Sequence, residues 1–306
     1  MSHVTGPSPS VTARPLTFSD AQAVFELTRD AEIADSGHAM VELEDIRGDW
    51  SRPSFDLASQ SIGYFENGLL VGYGEIHRNR LEASVHPAHR GRGIGKTLFG
   101  WGLERGRDLG YARVGQTVPV TNRAALGLLK SFGCELLWTS WVLELPAGAT
   151  IDDAPLPSAY RLCDFDPERD SREVYQTFED AFNEWPNRQP QTFDDWRVHA
   201  LDRSDFEPWQ IIVVAQDVGG AEHIVGACKV TANDGEGWVD QIAVRREARG
   251  QGLGRALLVA AFARARMHGA SASRLNTDSR TGALGLYEHV GMAVVQTYEH
   301  HSLTLT

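Results

Sequence analysis

One nine-residue string occurs twice in this chain, as Arg90-Gly-Arg-Gly-Ile-Gly-Lys-Thr-Leu98 and as Arg249-Gly-Gln-Gly-Leu-Gly-Arg-Ala-Leu257. Five positions are identical and three more exchange like for like. Each copy follows a short β-like run and opens a helical pattern. Alternating glycines let the backbone turn so that its N–H groups face one spot, just where a helix begins. Main-chain donors and the helix dipole together make a phosphate cradle there. A chain carrying two such cradles reads as a duplicated phosphate-cofactor domain.

The repeat extends beyond the loops. The helix after each loop ends at a glycine, Leu109-Gly110 and His268-Gly269, 159 residues apart like the loops themselves. Further on, Ala125-Leu-Gly-Leu128 recurs as Ala283-Leu-Gly-Leu286 and Phe132-Gly133 as Val290-Gly291, at an offset of 158. Landmarks kept in order at a nearly constant offset are the mark of duplication. A length of 306 residues holds two domains, each able to bury its own core. Pro146 to Pro157 has three prolines, small residues and no periodicity, which suits a linker. The expected domains are therefore residues 12–146 and 158–306, joined by residues 147–157.

Within the first half, the pattern predicts a strand over Arg14–Phe18 and a helix capped by Ser19-Asp20. A less regular stretch from Asp30 to Pro53 comes next. Strands over Ser61–Phe65 and Leu69–His77 are separated by Glu66-Asn-Gly68, a hairpin signal. The run Leu81–Val85 leads into the first glycine loop and its helix. A strand over Arg113–Val118, a helix over Ala124–Phe132 and a strand over Trp138–Leu145 follow. The second half repeats the order, with strands over Tyr160–Asp164, Trp209–Gln216, Ile224–Thr231 and Trp238–Val244 before its loop. The fold class expected is α/β (α+β): two tandem domains, each a mixed, largely antiparallel sheet flanked by helices.

A net charge of −12 argues against a nucleic-acid partner, because phosphate contacts need a positive face. No stretch approaches the roughly 20 apolar residues of a membrane span, so no membrane partner is expected. Three cysteines, Cys134, Cys163 and Cys228, lie far apart with no metal-ligand spacing. They fit buried thiols in a reducing cytoplasm, and no metal is expected. Residues 1–12 hold Pro, Ser and Gly without a basic or apolar leader pattern and read as a loose tail. A basic complement with only three lysines suggests a GC-rich bacterial genome. With two copies of the fold already in one chain, a monomer or weak homodimer is expected.

Three known loops compete for the glycine strings. The dinucleotide fingerprint needs G-x-G-x-x-G inside a βαβ unit, whereas here the spacing is G-x-G-x-G within an antiparallel meander. The P-loop fails by one position, since Arg90 stands where its first glycine belongs. What remains is R-x-x-G-x-G after a strand, with an A-L-x-L helix downstream. That arrangement resembles the acetyl-coenzyme A loop of the GCN5-related N-acetyltransferase (GNAT) superfamily, and the likeness runs through both halves.

The resemblance implies acetyl-CoA as cofactor. It implies that backbone amides of Arg249, Gly250, Gln251, Gly252, Leu253, Gly254 and Arg255 hold the pyrophosphate in the second half. Arg90, Gly91, Arg92, Gly93, Ile94, Gly95 and Lys96 do so in the first. The strand before each loop pairs with the pantetheine arm, implicating Ile242, Ala243 and Val244, and Ala83, Ser84 and Val85. Asn122 matches a residue that often opens the final helix; the second half has Arg280 there.

Amide formation poses two proton problems: the acceptor ammonium must lose a proton, and the departing thiolate leaves more readily if an acid protonates it. By the resemblance, Tyr287 is the acid, and Leu129 matches it in the first half. Asp240, or alternatively Glu236, is the base, with Leu81 at the position matching Asp240. Two leucines in one half imply a working C-terminal domain and a catalytically degenerate N-terminal one. Aromatic and acidic residues between Val174 and Trp196 suit an amine. The function implied is direct acetyl transfer from acetyl-CoA to the primary amine of a small molecule. The alternatives are transfer to a peptide or antibiotic amine, or a non-catalytic acyl-CoA sensor or scaffold.

Overall fold

The computed structural model describes residues 11–150, 152–185 and 188–305. Its elements, in chain order, are β1 (Val11–Arg14), α1 (Ala21–Ser36), α2 (Leu43–Trp50), α3 (Leu57–Gln60), β2 (Ser61–Glu66), β3 (Leu69–His77), β4 (Arg80–Val85), α4 (Ile94–Asp108), β5 (Arg113–Pro119), α5 (Arg123–Ser131) and β6 (Glu135–Leu145). They continue with β7 (Tyr160–Asp164), α6 (Pro167–Phe182), α7 (Phe193–Ala200), β8 (Ile211–Val218), β9 (Ala221–Asn233), β10 (Glu236–Val244), α8 (Leu253–Met267), β11 (Ala272–Asp278), α9 (Leu284–His289) and β12 (Ala293–Thr304).

Packing divides the chain into two units, residues 1–139 with 298–306, and residues 140–297. The division falls inside β6 and β12 rather than in the proline-rich segment between them. In the N-terminal unit the sheet order is β1-β2-β3-β4-β5 followed by residues 298–304 of β12. In the C-terminal unit the order is β7-β8-β9-β10-β11 followed by residues 140–145 of β6. Each sheet is antiparallel except for one parallel pair, β4 with β5 and β10 with β11. This is the mixed, largely antiparallel architecture with flanking helices that the sequence implies.

Local chemistry explains the elements. The β2–β3 turn forms on Asn67 and Gly68, both left-handed at φ 52° and 82°, as the Asn-Gly pair predicts. Helix α4 buries Ile94, Leu98, Phe99, Gly102, Leu103 and Gly106 on one face. Glycine at 106 lets that face lie directly on the sheet, since a Cβ there would sit 2.3 Å from Val114. Helix α8 does the same with Leu253, Ala256, Leu257, Ala261 and Ala265, and a Cβ on Gly237 would stand 2.7 Å from Ala265. Helix α4 is thereby fixed against β5, and α8 against β10, the strand that precedes its loop.

Several local expectations are corrected. The first strand ends at Arg14, and Phe18–Asp20 form a 3-10 turn. The Asp20 carboxylate caps no amide of α1; it accepts the Thr17 amide at 2.8 Å and pairs with Arg14. The stretch expected to be irregular contains α2, whose Ile46 and Trp50 enter the core. Of the expected tail, Val11 and Thr12 lie in β1 and the rest is outside the described residues. Cys134 and Cys228 are buried as expected, whereas Cys163 is only half-buried.

Candidate active site

The two glycine loops follow the same backbone path. Gly91 and Gly93 have φ of 76° and 86°, and Gly250 and Gly252 have 76° and 81°. A Cβ at any of the four would meet nothing within 4 Å. Glycine is required there by the left-handed backbone, which an L side chain would strain, and not by crowding. The first amide to fold back into α4 is that of Thr97, to Gly93 O at 3.1 Å; in α8 it is that of Ala256, to Gly252 O at 3.0 Å. The amides of Ile94, Gly95 and Lys96, and of Leu253, Gly254 and Arg255, are thus the outward donors at the positive ends of their helices. That donor set fits a diphosphate.

The leading arginine of each loop is committed to architecture. Arg90 donates Nε to Val85 O at 3.2 Å and both Nη groups to Asp35 at 2.5 and 3.0 Å. Arg249 donates Nε to Val244 O at 2.9 Å and its Nη groups to Glu184 at 2.8 and 3.0 Å. Each guanidinium therefore clamps the loop to the strand before it, leaving the backbone to face a ligand. Arg246 joins Arg249 on Glu184, and the two cations hold that carboxyl down at about 2. Asn122 caps α5, its Oδ1 accepting the Ala125 amide at 2.9 Å, while its Nδ2 donates to Asp35 at 2.9 Å. Arg92 pairs with Glu66 at 2.6 Å, Gln251 donates to the Tyr160 hydroxyl at 2.9 Å, and Lys96 is exposed. Arg280 is held by Asp278 at 2.5 Å and lies over the Trp185 ring.

Next to each loop the sheet opens. Strands β4 and β5 share one ladder position, Arg80 with Gly115, and Gln116 bridges the gap by donating Nε2 to Ala83 O at 2.8 Å. In the other unit the β10–β11 ladder runs from Glu236 to Val239 and stops at a bulge. Ala83–Val85 and Ile242–Val244 thus line one arm of a V in each unit, open to an extended ligand.

In the N-terminal unit this opening is a cavity of about 540 Å³. Its lining includes the expected cofactor contacts Ala83–Val85, Arg90, Gly91, Gly93–Lys96 and Asn122. The rest of the wall includes Glu32, Tyr73, Glu82 and Tyr298. The Glu32 carboxylate accepts the Met40 and Val41 amides at 2.7 and 3.0 Å, and burial raises its pKa above the usual carboxylate range. Glu82 opens onto the cavity and is exposed there, while desolvation by the protein around it raises its carboxyl as well; nearby Arg80 opposes this, and Asp49 and Glu32 add to it. Behind it, at the paired register position on β3, burial pushes Glu75 up to about 8 although the Trp50 indole donates to it at 2.6 Å. The Tyr73 hydroxyl lies 3.0 Å from that of Thr28, and burial raises its pKa. Burial pushes Tyr298 up to about 12. Sequence reasoning missed all four residues of this wall.

In the C-terminal unit, Tyr287 is buried beside Cys228; desolvation pushes its phenol up to about 12 against a hydrogen bond with Thr277. Asp240 is the extra residue of the β10 bulge, lying between Val239, opposite Val230, and Gln241, opposite Lys229. Its carboxylate is bonded to the ammonium of Lys229, a side chain only 1% exposed. Glu236 is held by Arg274 at 3.0 Å, which also pairs with Glu144 at 2.6 Å. Phe178 and Trp196 of the expected acceptor segment pack into the core, and the Trp196 indole donates to Gln241 at 3.1 Å.

A family model described as "Acetyltransferase (GNAT) family" matches residues 21–134 and again residues 171–292. The chain belongs to that family. It is an acetyl-CoA-dependent acyltransferase built from two tandem copies of the fold. The layout resembles mycothiol synthase, and the curated relatives agree. A mycothiol acetyltransferase of Thermobispora bispora is 28% identical over 286 residues, covering 90% of this chain and 93% of its own. One from Streptomyces avermitilis is 30% identical over 244 residues, covering 74% of each. Among solved structures, a GCN5-related N-acetyltransferase from Sphaerobacter thermophilus superposes with a TM-score of 0.76 at 27% identity, covering 98% of this chain and 97% of that one. A tandem GNAT protein from the clavulanic acid biosynthesis pathway has the same fold, with a TM-score of 0.70 at 15% identity, covering 97% and 99%. Among the described residues no helix is long and apolar enough to cross a membrane, and no cluster of residues could hold a metal.

Proposed function

We propose that this enzyme moves the acetyl group of acetyl-CoA to the primary amine of a small molecule by direct attack in a ternary complex. The observation that carries the proposal is the cavity of the N-terminal unit, in which the glycine-loop residues and the carboxyl groups of Glu32 and Glu82 line one space. Such a wall suits an ammonium-bearing acceptor, and the cradle beside it suits a thioester whose carbonyl the amine attacks. In the C-terminal unit Tyr287 is the proposed acid: a phenol pushed up to about 12 keeps its proton at neutral pH and can hand it to a departing thiolate. The backbone amides near Ala243 are the proposed stabilisers of the developing oxyanion.

The base is less well served in that unit. Lys229 and Arg274 hold the carboxylates of Asp240 and Glu236, and an ion-paired carboxylate is a poorer proton acceptor than a free one. Asp240 remains the better-placed of the two, at the point where the strands part, and would act through a water after loosening its bond to Lys229.

The names of the relatives make a mycothiol-type acceptor, the cysteinyl amine of a cysteine–glucosamine–inositol conjugate, the first to test. The experiment is a CoA-release assay across that conjugate, amino sugars, diamines, peptide amines and aminoglycosides, with acetyl-CoA binding measured by calorimetry. Acetylation of a small primary amine is expected. Tight acetyl-CoA binding with no amine acetylated would replace the proposal with a sensor.

A further inference from the structure

We infer that the N-terminal unit is a transfer site in its own right, in which Glu82 takes the proton from a small cationic primary amine held against Glu32. The inference rests on the reading of the chain as an amine acetyltransferase and adds to it a second reaction centre, its base and the charge of its acceptor.

Four observations converge on Glu82. It lines the same cavity as the glycine-loop amides of Ile94–Lys96, so a cofactor held by that cradle and an acceptor beside Glu82 share one space. It lies on β4 immediately before Ala83–Val85, the arm of the V that faces the extended ligand. Its carboxylate accepts no hydrogen bond among the described residues, whereas Glu32 is locked by two backbone amides. One carboxylate is therefore fixed to hold a cation and the other is left to receive a proton. Finally, the corresponding register position of the C-terminal unit holds Gln241, occupied by the Trp196 indole and opposite Lys229.

The chemistry balances with these groups. The bound ammonium gives one proton to the Glu82 carboxylate. The freed amine attacks the thioester carbonyl, the C–N bond forms as the C–S bond breaks, and the second amine proton goes to the departing sulfur. Glu82 then returns its proton to water in the cavity. No tyrosine stands at the position of Leu129, so the sulfur takes its proton from the nucleophile rather than from a side chain. The charged and titratable groups around Glu82 are Glu32 on α1, Asp49 on α2, Tyr73 and Glu75 on β3, Arg80 on its own strand and Tyr298 on β12. The excess of acidic groups disfavours an acceptor that carries a carboxylate or phosphate.

The test uses the full-length protein with acetyl-CoA and a panel of small diamines, aminoalkanols and amino sugars. For at least one amine, Glu82→Gln should lower kcat roughly a hundredfold, the usual worth of a general base. It should leave acetyl-CoA binding by calorimetry unchanged and remove the acidic limb of the kcat/KM profile; Glu82→Asp should restore part of the rate. If Glu82→Gln does not fold, Glu32→Gln is the second probe, and it should raise KM for that amine more than it lowers kcat. Wild-type rates and an unchanged pH profile in Glu82→Gln, or an unchanged KM in Glu32→Gln, would overturn the second site while leaving the transferase reading intact. Failure of the wild-type protein to acetylate any amine would overturn both.

Discussion

Asp240 can be a catalytic base or the partner of a buried cation, and the two roles separate when its ion pair is dismantled one charge at a time. Lys229 is 1% exposed and Asp240 26% exposed at the side chain. Removing one member of a buried pair costs about 3–5 kcal/mol, because the remaining charge is stranded in a poor solvent. Asp240 keeps some contact with water, and Asp205 lies close enough to Lys229 to feel its charge. A loss somewhat below that range, about 2–3 kcal/mol, is therefore expected for Asp240→Asn. In Lys229→Met/Asp240→Asn no charge is stranded, and most of that loss should return, giving a coupling energy of about 2 kcal/mol. At about 2–4 °C per kcal/mol for a unit of this size, the single variant should melt roughly 4–8 °C below the double one. Denaturant unfolding gives the free energies and CoA release the activity. A double variant that is stable and turns over normally makes Asp240 structural; a stable but inactive one makes it the base. Equal stability of Asp240→Asn and the wild type would refute the electrostatic reasoning itself.

Three further outcomes follow from the geometry. Tyr287→Phe should cut turnover at the C-terminal site far more than acetyl-CoA binding; steady-state kinetics and calorimetry check this, and a turnover loss no larger than the loss in binding would refute its role as the acid. Glu75, raised to about 8 by burial, stays protonated in the folded state while the unfolded chain ionises near its ordinary value. Its contribution to stability is thus present below about pH 4.5 and lost as pH rises towards 8. Glu75→Gln, which keeps an acceptor for Trp50, should flatten that loss in urea titrations at acidic and mildly alkaline pH. Gly115→Ala would place a Cβ 2.4 Å from His300 Nε2 and 2.8 Å from the His301 carbonyl, so it should cost about 1–3 kcal/mol or more and lower the thermal midpoint.

The glycine loops, the Asn67-Gly68 hairpin and the duplicated helices were legible because each rests on local backbone chemistry that a short string of residues dictates. Helix α2 was not, because Leu43–Trp50 is short and acidic, and its Ile46 and Trp50 have meaning only against α1 and the sheet. Glu82 was missed for a related reason. In sequence it is one charged residue between Leu81 and Ala83, and only β-sheet alternation with Glu75 and Tyr73 beside it makes it part of a wall. Matching Asp240 to Leu81 by constant offset also hid the bulge, which makes Val239 the register counterpart of Leu81 and leaves Asp240 with none. The partners of Asp240 and Glu236 lie at Lys229 and Arg274, on neighbouring strands that no spacing rule could have linked to them.

The residues that finish each sheet have a bearing on how the protein is made. Seven residues of β12 complete the N-terminal unit, yet residues 140–297 are synthesised between them and the rest of that unit. A nascent chain halted in the proline-rich stretch would expose the bare edge of β5, a template for unwanted pairing. Cutting the gene there would separate each sheet from its last strand. Mixed together, the two fragments should regain activity only by exchanging those strands, so complementation of split halves offers a direct view of when the enzyme becomes whole.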